Sequence, residues 1–377
     1  MRTRAAVLHE APGEWVVQEL ELDPPKSGEV LVQMVASGLC HSDDHYLQGD
    51  NTVSRLPLVG GHEGAGIIRE IGPDVIGFEV GDHVLTSFIP SCGRCRWCAS
   101  GKQNLCDNGA IIQIGHQIDG SYRMHTDDGQ DVSTLALLGT FSQWQVYDQM
   151  SLIKIDKDVP LHIACLVACG VQTGFGSATT AGEVKPGDVV VVAGVGGVGM
   201  NAVQGARECG ASHIIAVDPV ADKRAWALDF GATEASASLA ESTARIGELT
   251  NGQGADVVIL TPSLVTNELI AEGFAAIRKA GTLVVTGVSN EVESGAVPGI
   301  NAFMLAMMQK RIQGALYGMK SPREAMPMLL DLYRAGRLKL DELVTKTYRL
   351  DQINEATHDL RQGRNIRGVI VFDNEEK

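Results

Sequence analysis

Five consecutive residues, Val189-Val-Val-Val-Ala193, run straight into Gly194-Val-Gly196-Gly197-Val198-Gly199. A continuous β-branched run is the pattern of a strand buried on both faces, which belongs in a parallel sheet covered by helices. The spacing G-x-G-x-x-G then dictates a tight turn from that strand into a helix. Gly194 allows the bend, Gly196 lets the backbone approach a pyrophosphate, and Gly199 lets the helix pack closely on the strand. That helix, residues 197–209 by length and spacing, opens at Gly197 and Val198 with free N–H groups suited to phosphate oxygens. The next strand, 213–218, ends in Asp218, 19 residues past Gly199. A carboxylate there accepts hydrogen bonds from a ribose 2′-hydroxyl and repels a 2′-phosphate, favouring NAD over NADP. Lys223 is placed to reach the same ribose, whereas Arg224 could tolerate a 2′-phosphate. The plainer reading is a structural glycine turn with Asp218 capping a helix.

From about Thr173 strand and helix alternate. Strands are expected at 256–260, 282–287 and 311–317, with helices at 221–230 and around 267–279. This rhythm is that of an α/β, doubly wound parallel sheet. The first third of the chain is different. Short strands such as 29–36 and 64–71 are separated by turns at 72–74 and 81–82, while 107–140 has weak periodicity and reads as a long surface loop. The tail from Met319 returns to helix and strand, ending with a strand at 368–372. A length of 377 residues favours two domains. No repeat of solenoid period is present.

The second strong pattern is Cys92-Gly-Arg-Cys95-Arg-Trp-Cys98 with Cys106 behind it. Four thiols at C-x2-C-x2-C-x7-C suit a closed, tetrahedral structural zinc site. An iron–sulfur cluster is the rival, but bacterial ferredoxins close the run with C-x3-C-P, and here the last gap is seven residues and Asp107 comes next. Disulfides would need an oxidising compartment. The N-terminus is too short in apolar residues for a signal peptide, and five glycines interrupt the longest uncharged run, 189–206. The cytoplasm is the expected location, with no membrane association. A net charge of −15 repels polyanions, so nucleic acid is not an expected partner.

Three further ligand-type residues stand outside the lobe. Cys40 opens Cys40-His41-Ser42-Asp43-Asp44-His45, His62 lies in Gly60-Gly61-His62-Glu63-Gly64, and Cys169 precedes Gly170. Any one alone would more often be structural, and Cys165 and Cys209 read as small buried hydrophobes.

Taken together, these motifs resemble the zinc-dependent medium-chain alcohol dehydrogenase family. The matching pieces are Cys40-x-Ser42-x-x-His45, Gly-His62-Glu63, the four-cysteine lobe, Cys169-Gly-x-x-Thr173-Gly, and Gly194–Gly199 with Asp218, in family order from about Ala5 to Phe372. The resemblance implies a GroES-like β-barrel catalytic domain, residues 1–172 and 319–377 with the zinc lobe at 92–106, and a Rossmann NAD-binding domain at 173–318. It implies two zinc ions per chain: one held by Cys40, His62 and Cys169 with a position open to substrate, one structural and held by Cys92, Cys95, Cys98 and Cys106. The implied reaction is hydride transfer between a zinc-bound alcohol and NAD, interconverting alcohol and aldehyde or ketone.

The resemblance also assigns roles. Ser42 takes the alcohol proton and passes it through the cofactor ribose to His45. Asp43 accepts from the His62 ring, and Glu63 sits beside the metal. Thr173 touches the nicotinamide, while His41 and Arg367 lie near the pyrophosphate, His41 standing where many members have arginine. Phe88 and Leu138 line a pocket for a small alcohol with an apolar tail. For His45 a plain surface histidine, and for Phe88 and Leu138 ordinary core packing, are the structural alternatives. The chain is also similar in general look to bacterial NDMA-dependent nicotinoproteins, in which NAD stays bound and an external electron acceptor recycles it. A homodimer or homotetramer is implied, with 311–317 as a pairing edge. The competing functions are a glutathione-dependent formaldehyde dehydrogenase-like activity and a catalytically silent NAD-binding protein of the same fold.

Overall fold

The computed structural model describes residues 1–51, 55–287, 297 and 299–373. The chain divides into two compact units, Met1–Cys169 with Ser321–Lys377, and Gly170–Lys320.

The first unit is mostly β. Strands Arg2–Leu8, Trp15–Leu22, Met124–His125, Asp131–Thr134 and Leu58–Val59 close into a barrel. A seven-stranded sheet joins Leu152–Ile155, His83–Thr86, Glu63–Ile71, Glu29–Gly38, Arg367–Val371 and Val344–Tyr348 in that order, with Trp144–Asp148 also pairing with Glu29–Gly38. The C-terminal strand pairs antiparallel with the early one, Val369 opposite Gly38 and Val371 opposite Ala36. That pairing makes both chain ends one body. The core uses the inward residues of these strands, among them Val30, Val32, Met34, Ile68, Val84 and Ile370, all fully buried.

The stretch 107–140 is not the bare surface loop that its weak periodicity suggests. Met124–His125 and Asp131–Thr134 lie in it and close the barrel. Strands of two and four residues are too short to show a period of two in sequence.

The second unit holds a six-stranded sheet in the order Glu234–Ser236, His213–Val217, Val189–Ala193, Ala255–Leu260, Ile277–Val285, Arg311–Gly314. Every pairing in it is parallel. Numbered along the chain this is 3-2-1-4-5-6, the order of the Rossmann fold. Val189–Ala193 lies at the centre and is buried throughout, as its unbroken apolar run requires.

Several boundaries differ from those expected, most of all at the end of the sheet. The helix from Asn267 stops at Ala276, and Ile277–Val285 is already strand. Ala-Ala-Ile-Arg-Lys has no breaker, so helix propensity runs on where sheet pairing takes over. That strand also ends two residues sooner than expected. The last strand of this sheet is Arg311–Gly314, and Tyr317 sits in a short 3-10 turn at φ +56°. Among the described residues, no single helix is long and apolar enough to cross a membrane.

Candidate active site

The site begins with two glycines. Leu58–Val59 belongs to the barrel and Glu63–Ile71 to the sheet, so Gly60-Gly61-His62 is the crossing between them. A Cβ on Gly60 would lie 2.2 Å from the Trp15 ring, and Gly61 has φ +88° with Thr140 2.5 Å from its would-be Cβ. Only a chain without side chains can pass there, and it delivers His62 inward.

Cys40 comes just after strand Glu29–Gly38 and caps helix His41–Gln48. Gly38 pairs with Glu63, which brings the two segments side by side. Cys169 ends the short turn Cys165–Ala168. As a result, ligand atoms of Cys40, His62, Glu63 and Cys169 all lie within 4.8 Å of one another. His62 Nε2 is buried without a hydrogen-bond partner. A buried imidazole nitrogen left bare beside two sulfurs is costly unless a cation takes its lone pair. Two thiolates, an imidazole and a carboxylate are a zinc donor set, so the residues fit the metal.

Asp43 organises this group. Its carboxylate accepts from His62 Nδ1 at 3.0 Å, from the Gly61 N–H at 3.1 Å and from the Cys40 N–H at 3.2 Å. The first contact puts the ring hydrogen on Nδ1 and leaves Nε2 to donate its lone pair. Burial works against a charged His62, but the Asp43 carboxylate outweighs it and raises the imidazole well above its ordinary range. A hydrogen bond from Cys169, helped by His62, holds the Cys40 thiol well below its usual value, and the same bond pushes Cys169 well above.

Glu63 and Arg367 form a fully buried ion pair, and Arg367 Nη2 also donates to the Leu39 carbonyl at 2.9 Å. Burial pushes Glu63 up to about 7, the guanidinium recovering only part of that cost. A Cβ on Gly38 would sit 2.2 Å from the Glu63 carboxylate, so glycine there makes room for the pair. In this structure the Arg367 guanidinium is thus turned inward onto Glu63.

Ser42 lies on the same helix, its Oγ 3.6 Å from Cys40 Sγ. His41 is the helix's first residue and half-buried. His45, one turn past Ser42, is 7 % exposed. Phe88 meets the His62 ring edge-on at 6.1 Å between centroids. Leu138 is fully buried in the same hydrophobic cluster that Phe88 packs against.

The four cysteines of the lobe are also gathered, their sulfurs all within 4.8 Å. Cys92–Cys98 and Cys95–Cys106 are 3.9 Å apart. Tetrahedral zinc with Zn–S near 2.3 Å requires about 3.8 Å. Backbone N–H groups of Cys95 and Cys98 point at the sulfurs of Cys92 and Cys95 at 3.3 and 3.4 Å. The N–H groups of Cys98 and Asp107 bring Cys95 down to about 6. All four are free thiols.

In the second unit the glycine turn has the geometry its spacing dictates. Gly194 is at φ +91° and its would-be Cβ lies 2.4 Å from Pro262 N, while Gly199 would meet the Gly194 carbonyl at 2.0 Å. Gly196 faces open space, and Gly197 and Val198 begin helix Gly197–Glu208. Asp218 is buried and accepts from the Val195 N–H at 3.1 Å and the Val220 N–H at 2.9 Å. Arg224 donates to the carbonyls of Asp218 and Pro219 at 2.7 and 2.9 Å. Lys223 is half-buried on helix Ala221–Asp229, and Thr173 lies on helix Gly170–Gly176, its carbonyl accepting from Ser177 Oγ at 2.7 Å. Gly194→Ala is expected to destabilise this unit by about 1–3 kcal/mol through φ strain alone, with the Pro262 clash in addition. Thermal unfolding with and without added NAD measures this, and an unchanged midpoint would contradict the turn's geometry.

Comparison with known proteins matches this geometry. Residues 26–157 match the alcohol dehydrogenase GroES-like domain, and residues 197–334 match the zinc-binding dehydrogenase domain. The structure superposes on an alcohol dehydrogenase zinc-binding domain protein from Burkholderia ambifaria with TM-score 0.92 at 31% identity, covering 99% of this chain and 100% of that one. Benzyl alcohol dehydrogenase from Acinetobacter calcoaceticus gives 0.90 at 31% identity, covering 99% of each chain. The chain belongs to the zinc-binding alcohol dehydrogenase family, a class of oxidoreductases. Within it, the NDMA-dependent alcohol dehydrogenase of Amycolatopsis methanolica is 49% identical over 371 residues, 98% of this chain and 99% of that one.

Proposed function

We propose that the protein is an NAD-dependent zinc alcohol dehydrogenase that interconverts a small primary alcohol and its aldehyde. The observation that carries this reading is the bare, buried His62 Nε2 beside the sulfurs of Cys40 and Cys169. Zinc held by Cys40, His62 and Cys169 would supply a Lewis acid for the substrate oxygen. NAD held by the Gly194–Gly199 turn and Asp218, with Thr173 and Lys223 as further contacts, would supply the hydride acceptor. A second zinc at Cys92, Cys95, Cys98 and Cys106 holds the lobe.

The chain's own groups do the rest. Asp43 fixes the His62 tautomer. Ser42, beside Cys40, accepts the alcohol proton, and His45 one helical turn later releases it. Phe88 walls the site next to His62, and an apolar wall suits an alcohol with an apolar tail. Glu63, kept from solvent and paired to Arg367, balances the charge behind the ligands. The edge strand Arg311–Gly314 exposes Ile312, and the preceding helix Ala302–Met308 exposes Phe303 and Met307. A strand at the end of the described sheet, with apolar neighbours, supports pairing with a second copy, as dimer or tetramer. The reducing cytoplasm suits these thiol ligands.

Likeness to an NDMA-dependent relative supports a bound NAD recycled in place by an external electron acceptor. The test is direct. The purified protein is denatured and its supernatant analysed for nicotinamide, and the native protein is assayed with benzyl alcohol and NDMA without added NAD. Near one NAD per chain with turnover is expected. An empty supernatant, with turnover only on added NAD, would show an ordinary exchanging cofactor.

A further inference from the structure

The end of helix His41–Gln48 holds a contact that the reaction above does not use. The helix stops at Gly49, in the left-handed conformation at φ 76°. The chain then folds back, so that the Asp50 N–H donates to the His45 carbonyl at 2.9 Å, and Asn51 N–H reaches the same carbonyl at 3.3 Å. This reversal sets the Asp50 carboxylate 2.9 Å from His45 Nδ1. The imidazole is 9% exposed and the carboxylate 39%. Asp44, the acidic neighbour on the helix itself, is engaged elsewhere, at 2.6 Å from Arg361.

We propose that Asp50 is a positioning residue for proton release, holding His45 in the tautomer that a proton acceptor needs. The inference rests on the proposed role of His45. A carboxylate only accepts hydrogen bonds, so a neutral His45 facing it carries its hydrogen on Nδ1. Nε2 is then the nitrogen with the lone pair. An imidazole free of such a partner distributes its hydrogen between the two nitrogens, and the Nε2–H form has no basic nitrogen on that side. When Nε2 takes up the proton lost by the alcohol, the Asp50 carboxylate 2.9 Å away still accepts from Nδ1–H and keeps the ring in place. The proton then passes to a solvent base and the ring returns to its neutral Nδ1–H form. One proton enters and one leaves.

The test combines rate and spectrum on the intact holoenzyme. Hydride transfer from benzyl alcohol to bound NAD is followed in single turnover for wild type, Asp50→Ala, Asp50→Asn and His45→Ala. The His45 ring is followed by 15N NMR in histidine-labelled wild type and Asp50→Ala. Asp50→Ala is expected to slow hydride transfer about tenfold with unchanged KM, and Asp50→Asn, which keeps an acceptor oxygen, to slow it less. The 15N shifts should move from a protonated Nδ1 and unprotonated Nε2 towards an average of the two tautomers. A merely structural Asp50 would change the unfolding midpoint and leave the 15N pattern alone. Slow His45→Ala with wild-type Asp50→Ala would overturn the role of Asp50 and keep that of His45. Wild-type turnover in His45→Ala would instead remove the release role itself, and the inference with it.

Discussion

Cys40→Ser is expected to leave the protein folded and to cut alcohol oxidation by about three orders of magnitude. The two halves of that result have separate causes. Serine is among the best helix N-caps, and position 40 is the N-cap of His41–Gln48, so local structure should survive or improve. The Asp43 carboxylate still accepts from the position-40 N–H and from His62 Nδ1, because neither contact involves the side chain at 40. What is lost is a sulfur. A serine hydroxyl is a poor, ordinarily protonated ligand, and removing one thiolate leaves zinc with a net positive charge in a buried place. Metal content should therefore fall by about one zinc per chain, with circular dichroism and the unfolding midpoint little changed. Near-normal turnover at full zinc content would refute the ligand assignment. His62→Ala gives a second test of the same site, since it removes the bare nitrogen and leaves Asp43 without its ring partner.

The parts of this molecule that could be read from sequence are those where covalent chemistry or steric exclusion leaves one residue type. Gly194, Gly199 and the valine run before them constrain the backbone so tightly that strand, turn and helix are all determined, and the parallel sheet is where they were expected. Thiols at short spacing likewise announce a metal lobe. Cys40, His62 and Cys169 are separated by 22 and then 107 positions, and their convergence was suggested by family likeness, since no local pattern encodes it. The barrel-closing strands Met124–His125 and Asp131–Thr134 were missed because pairing partners, not their own residues, make them strands. The helix end at Ala276 was missed for a similar reason, the residues after it being equally content in a helix. Asp50 carried no signal at all. A carboxylate five residues after a histidine becomes its partner only because Gly49 reverses the chain. The inward turn of Arg367 is equally invisible, since its partner Glu63 lies 304 residues away.

Cys98→Ser should act in the opposite way to Cys40→Ser, lowering stability while leaving the chemistry of each folded molecule intact. The lobe has little else to hold it. Within 92–106 the buried residues are Cys98, Asn104 and Cys106, while Leu105 is 40% exposed. One tie to the rest of its unit is Ser321 Oγ to Gln103 Oε1 at 2.6 Å. A segment without an apolar core must be ordered by something else, and four converging sulfurs with backbone N–H groups aimed at them supply it when a metal is bound. Structural zinc contributes on the order of 10 kcal/mol in small zinc peptides, and a site reduced to three sulfurs keeps only part of that. Loss of about 4 kcal/mol in a domain of this size lowers the midpoint by roughly 10 °C. Differential scanning calorimetry alongside zinc analysis measures both quantities, and turnover per folded chain at low temperature measures the third. A variant with wild-type midpoint and yield but lost activity would mean that the lobe takes part in the reaction. The contrast with Cys40→Ser is the sharper test, because the same atom change at two sulfur clusters must then separate stability from catalysis in a single chain.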